Sequence, residues 1–291
     1  MKKFELTTEA QISFGKTLYR IKALISFGEV CAGDIGGWVE KEENLSHDGD
    51  AWVFGDALVF GNAQVFGDAR VSGNARVYGN AQVFGDARVF GNAWVSGNAR
   101  VYGNARVFGN AWVFGNARVY GNARVFGNAW VFGNAWVSGN AWVYGDAWVY
   151  GNARVYGNAR VFGNAWVSGD AWVYGDAWVY GNARVYGNAR VFGNAWVSGD
   201  AWVSGDAWVY GNAQVYGNAQ VMWISNIGSR NGTTTFFATK TGIYVNCGCF
   251  SGSIEAFADA VDKTHGDSEH GKAYHLAIEL AKLRIKLPEE E

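Results

Sequence analysis

Val107-Phe108-Gly109-Asn110-Ala111-Trp112 is one hexad of a phrase that repeats with alanine at every sixth position from Ala51 to Ala219. The general form is Val, then Phe, Tyr or Ser, then Gly, Asn or Asp, Ala, and Trp, Arg or Gln. An unbroken short period marks a solenoid, in which stacked repeats bury one continuous core. Neighbouring residues of a strand point to opposite sides. If Val107 points inward, Arg106 and Phe108 point outward. Gly109 and Asn110 then supply a corner, because glycine accepts positive φ freely and Asn or Asp tolerates the left-handed region. Ala111 tucks into that corner, where nothing larger fits. The predicted interior is a dry column of Val and Ala, with every backbone group bonded to the coil above or below.

The flanks read differently. Residues 1–47 form a non-repetitive N-terminal β cap, 48–222 the array, and 223–291 an α+β C-terminal module. In the first, Leu18–Ile25 and Val30–Cys31 read as short strands and Gly36-Gly37 as a turn. In the last, Thr233–Phe237 and Gly242–Val245 read as strands joined through Lys240 and Thr241. Ser253–Thr264 and Ala273–Ile285 read as helices. Both flanks are expected to cap the array, since a solenoid otherwise ends in open backbone edges.

Composition narrows the function classes. The chain has 291 residues, 41 of them glycine, and the glycine is periodic, so the composition signals a repeat rather than a linker. A net charge of −2 gives no pull toward nucleic acid or membranes. Cys31, Cys247 and Cys249 do not make a disulfide framework, and the N-terminal stretch lacks an apolar signal core. No apolar run reaches membrane-spanning length. A reducing, cytoplasmic location is therefore expected.

The spacing alone does not fix the number of sides per coil. The phrase resembles the hexapeptide-repeat superfamily, with Val at the first position, Asn or Asp at the fourth and Ala at the fifth. That resemblance implies a left-handed parallel β-helix, triangular, of about 18 residues per coil. The large aromatics at the second position depart from the family's common form. GGWVEKEENLSHDGDAWVFGDA (36–57) is further similar to the entry of GNA-repeat proteins of bacteria and phages, often labelled transferases or polymer-forming proteins. GSRNGTTTFF (228–237), GCFSGSIEAF (248–257) and THGDSEH (264–270) resemble a C-terminal module of phage and prophage proteins. The implied setting is a bacterial host cell. The expected fold class is thus an all-β solenoid with a small α+β C-terminal cap.

Folding the array at period 18 sorts the outward residues into three faces. One carries Trp94, Trp112, Trp130, Trp148 and Trp166 and ends at Gln220. A second carries Trp52, Arg70, Arg88, Arg106 and Arg124. These ladders have two readings. Stacked rings and Arg-on-Trp contacts support neighbouring rungs; alternatively, exposed aromatic stripes form a binding surface for a second copy, a host protein, a glycan or single-stranded nucleic acid, the last disfavoured by the near-neutral charge. One observation limits every residue-specific claim on either reading. Residues 153–182 and 183–212 are identical except for Tyr174 against Ser204. Five hexads are not a multiple of three, so the duplication moved each outward residue to a different face. Array length or general surface character then matters more than any individual residue.

Catalysis finds little footing. Hexapeptide acyltransferases typically use a catalytic His, and here no His lies between His47 and His265. Cys247, Cys249, His265 and His270 are residue types suited to zinc, but their spacing matches no common finger. The expectation is a non-catalytic scaffold or interaction protein that self-associates and needs no cofactor. A binder of a host macromolecule or glycan is the alternative, and an acyltransferase a distant third.

Overall fold

The structure, a computed structural model, describes residues 2–215, 221–239 and 241–287. Ala219, Gln220 and Lys240 lie outside the described residues. The chain divides into two compact units, Met1–Gly151 and Asn152–Glu291.

In the first unit each hexad supplies a two-residue strand, from Trp52–Val53 to Trp148–Val149. Within the unit the strands pair in parallel eighteen residues apart, as in Arg88↔Arg106, Trp112↔Trp130 and Arg118↔Trp136. The three registers never mix, so the strands form three sheets. The Val and Ala of the hexads are fully buried. A buried Val contributes about 1.5–3 kcal/mol. The backbone bonds run coil to coil: Trp112 N–H donates to Ala129 C=O (2.9 Å), and Phe114 N–H to Val131 C=O (3.0 Å). Glycine is required at the corner on two counts. Gly109 has φ +70°, and a Cβ there would lie 3.0 Å from Gly127 N and 3.1 Å from its O.

The N-terminal cap is a hairpin of β1 (Phe4–Ser13) and β2 (Lys16–Ala23), joined antiparallel to β3 (Ile35–Val39). Through Trp38↔Leu58 and Val39↔Val59, β3 enters the first parallel sheet. The strand expected over Leu18–Ile25 lies at Lys16–Ala23, and β1 was not foreseen. The expected strand Val30–Cys31 shrinks to one bridge, Phe27↔Val30. The Gly36-Gly37 turn is a correction: both glycines sit inside β3. They are small because the first coil packs against them. A Cβ on Gly36 would lie 2.6 Å from Ile21 and 2.7 Å from Trp52, and one on Gly37 would lie 2.6 Å from Val53.

Side chains take over where the backbone ladder ends. Lys3 Nζ donates to Gly49 C=O (3.1 Å) and Ala51 C=O (2.9 Å), and Asn44 Nδ2 to Gly61 C=O (3.1 Å) and Ala63 C=O (2.8 Å). Those carbonyls face away from the coil that follows them and would otherwise be buried without a donor. Burial pushes the Lys3 amine down to about 8, against the raising fields of Asp50, Asp48 and Asp68.

The second unit continues the same three-register pattern from Arg154–Val155 to Gln214–Val215. It ends in an antiparallel sheet of Val221–Ile227, Gly232–Thr239, Gly242–Cys247 and Phe250–Ser253. The first of these strands starts inside the span assigned to the array. Two helices follow, α1 (Ile254–His265) and α2 (Glu269–Arg284). Ser253 and Ser268 cap them, accepting from Ala256 N–H and Gly271 N–H at 3.2 Å each. The expected first helix is one residue out at each end; α2 begins four residues earlier than expected because Ser268 caps it. At this end Trp208 N–H donates to Thr235 Oγ1 (2.9 Å) and Asn246 Nδ2 donates to Trp208 C=O (3.3 Å). Two polar side chains thus stand in for the next rung. The chain is a β-solenoid of about 18 residues per coil, closed by a small antiparallel sheet and two helices.

Candidate functional site

The outward Trp and Arg ladders are real columns, on different sheets. Within the first unit Trp94, Trp112, Trp130 and Trp148 stack in parallel, with centroids 4.6, 5.0 and 5.1 Å apart. Arg88, Arg106 and Arg124 stand in another sheet, beside the stack Phe90–Phe108–Phe126 (4.8 Å steps). Arg124 lies over Trp142 at 5.0 Å. Trp166 belongs to the second unit, where Arg184 lies over it at 4.6 Å. Trp52, expected outside, is buried: Phe4 and Phe27 meet its ring edge-on at 6.2 and 5.4 Å.

The stacking decides what these columns offer. Rungs repeat at about 4.8 Å, so each indole face is already covered by the next ring. A base or sugar inserted between two rings would need about 7 Å. Solvent therefore meets ring edges rather than faces. The indoles of Trp94, Trp112, Trp130 and Trp148 are half-buried in consequence, whereas Trp196, Trp202 and Trp208, in the last coils of the second unit, are exposed.

A second kind of ladder was not foreseen. At the corners each Asn amide donates to the Asn or Asp one coil on. One run is Asn62→Asn80→Asn98→Asn116→Asn134, at 3.2, 2.9, 3.0 and 3.0 Å. Another runs from Asn74 through Asn92, Asn110 and Asn128 to Asp146, which only accepts. Asn44 occupies the position eighteen residues before Asn62, so extending the column backward would have found this buried cap. No signal marks Lys3, Thr235 or Asn246.

The duplicated block, which lies within the second unit, tests the ladders further. Arg154 lies over Trp172 (5.0 Å) and Arg160 over Trp178 (4.8 Å). In the copy Arg184 lies over Trp202 (5.2 Å) and Arg190 over Trp208 (5.0 Å). The copied strands fall in different sheets. Contacts between successive coils survived the duplication, whereas the facing of each residue did not.

The C-terminal module holds a cavity of about 420 Å³, with Trp208, Phe250, Phe257 and Val261 on its apolar wall. Cys247, Cys249 and His265 border it; His270 does not. Thr234 Oγ1 donates to Cys247 Sγ (3.1 Å), which lies 3.5 Å from Tyr274 Oη. Burial, and then the Cys247 thiol, push the Tyr274 phenol up. The His265 and His270 rings are 5.9 Å apart, and His275 pairs with Asp262 at 2.7 Å. Among the described residues no three His, Cys, Asp or Glu side chains converge as a metal-binding group. No helix there is long and apolar enough to cross a membrane.

The YdcK beta solenoid repeat family model matches residues 63–79, 69–83, 81–97, 99–115, 117–133, 147–161, 153–169, 159–181 and 183–199. The chain is similar to that family through much of its array, and it is a repeat β-helix protein. No curated protein matches the chain.

Proposed function

We propose that the protein is a non-catalytic β-solenoid scaffold that associates with copies of itself, of the kind its resemblance to bacterial and phage GNA-repeat proteins implies. One observation carries this reading: the outward aromatic and Arg side chains spend their faces on the neighbouring coil. A ladder built that way stiffens the array and is indifferent to which side of it faces a partner. The duplicated block supports the same conclusion, because its coil-to-coil contacts outlived a change of face. The array on this reading sets distance and rigidity, and the terminal modules make the contacts.

The test replaces Trp112, Trp130 and Trp148 together by Ser. Each stacked pair is worth about 0.5–1.5 kcal/mol beyond area burial, so the midpoint of thermal unfolding falls by several degrees. The association state measured by light scattering stays that of the wild type. A binding surface gives the opposite pattern: melting nearly unchanged and association lost. That result would favour the alternative, a binder working through the ladders.

A further inference from the structure

Helix α2 is apolar on two faces, and only one of them is used. Tyr274, Ala277, Ile278, Ala281 and Ile285 are buried within the module. The opposite side carries Leu276, Leu280, Leu283 and, just past the helix end, Leu287, which are 74, 44, 81 and 52 % exposed. Their spacing of four, three and four residues is that of the a and d positions of a heptad. An isolated surface leucine requires no explanation, but four in this register form a seam. The other exposed side chains on the helix are charged or polar, which confines the apolar stripe to that seam.

We propose that this stripe is a homodimerisation seam, in which α2 pairs side by side and in parallel with α2 of a second copy. The inference rests on the reading of the protein as a self-associating scaffold and names the surface that does it. Two features select a second copy over other occupants. The heptad register is met by a helix of the same pitch and the same leucine spacing. The flanking charges are also self-complementary. With Leu280 at a and Leu283 at d, Glu279 takes a g position and Arg284 the following e position, which face each other across a parallel pair. Glu279 is exposed and, among the described residues, pairs with Lys282 on its own helix, at 3.1 Å. A seam of about two heptads is short for free peptides. Here α2 is already folded by its buried face, so pairing does not have to order it.

Light scattering at about 10–100 µM decides the matter, since a functional dimer of this type should have a dissociation constant below that range. The expected wild-type mass is twice 31.6 kDa. Leu280→Glu with Leu283→Glu should return the single-chain mass and keep a cooperative transition, losing only the concentration-dependent part of the wild-type midpoint, because both side chains are exposed in the single chain. Glu279→Arg alone and Arg284→Glu alone should each weaken the dimer several-fold, and the two together in one chain should restore it. That restoration keeps the proposal testable if the leucine variant fails to fold. A wild type that stays monomeric at about 100 µM overturns both the seam and the self-association reading. A wild type that associates equally with and without the leucines overturns the seam alone.

Discussion

At the scale of single residues, the hexad assigns each position one physical task. Glycine turns the corner at φ near +70° while lying almost in contact with the glycine of the next coil. Gly109→Ala therefore meets both an unfavourable backbone region and a crowded Cβ, and should cost about 1–3 kcal/mol. Asn110→Ala removes one link of an exposed amide ladder and should cost about 1 kcal/mol or less. Denaturant unfolding of the two variants checks this order, and an Asn110 variant as damaged as the Gly109 variant would contradict it. The inward Val and Ala, the outward Trp and Arg and the corner Gly were all legible in the sequence, because strand alternation and glycine's freedom are local rules. The Asn ladder was less legible. It appears once residues are read eighteen apart, and the reading of Asn as a turn former stopped one step short.

At the scale of elements, the caps show where local rules give out. Gly36-Gly37 looks like a turn by composition, but tertiary crowding from Ile21, Trp52 and Val53 places it in a strand. The β1–β2 hairpin turns at Phe14 and Gly15, both with positive φ. Such a φ is unfavourable for Phe, and Phe14 is held there by stacking on Phe60 at 5.4 Å and by Arg76 over its ring at 5.0 Å. The ionic contacts of this cap make it sensitive to acid. Hydrogen bonding from Arg70 lowers Glu29 from its ordinary 4.5; Lys16 and the Gly61 amide do the same to Glu40, and Lys2 to Glu42. A depressed carboxylate contributes stability that is full above the unfolded value and lost as pH falls through the folded one. Melting should therefore drop as pH is lowered below about 4.5. The Glu29→Gln, Glu40→Gln, Glu42→Gln triple variant should start lower at pH 6 and decline less steeply. A decline as steep as that of the wild type would assign the acid sensitivity elsewhere. The two C-terminal helices were readable from their periodicity, the first also from its cap Ser253, whereas the Ser268 cap of α2 was missed. The second apolar face of α2 was also present in the sequence as Leu276, Leu280, Leu283 and Leu287, but only burial of the opposite face shows that it is left over.

At the scale of the whole molecule, a strict period made the solenoid legible, its 18-residue coil came from the resemblance to hexapeptide-repeat proteins and not from the spacing, and the candidate sites were legible only in part. The columns were foreseen; that their ring faces are consumed by stacking at 4.6–5.1 Å needed coordinates. Cys247, Cys249 and His265 were singled out by residue type, yet what gathers them around one cavity is a hairpin and two helices that no local pattern specifies. The central claim is that coil-to-coil contacts, rather than a particular face, are what the array maintains. Deleting one hexad, Val101–Arg106, tests it most directly. Downstream residues then move to another face, Trp94 meets Arg118 in place of Trp112, and Arg88 meets Trp112 in place of Arg106. Both of these are cation–π pairs, and the third junction, Arg100 with Arg124 in place of Arg118, stays Arg beside Arg. Thermal unfolding combined with light scattering should show a cooperative transition within a few degrees of wild type and the wild-type association state. An unfolded protein, or a folded one that no longer associates, would contradict the account.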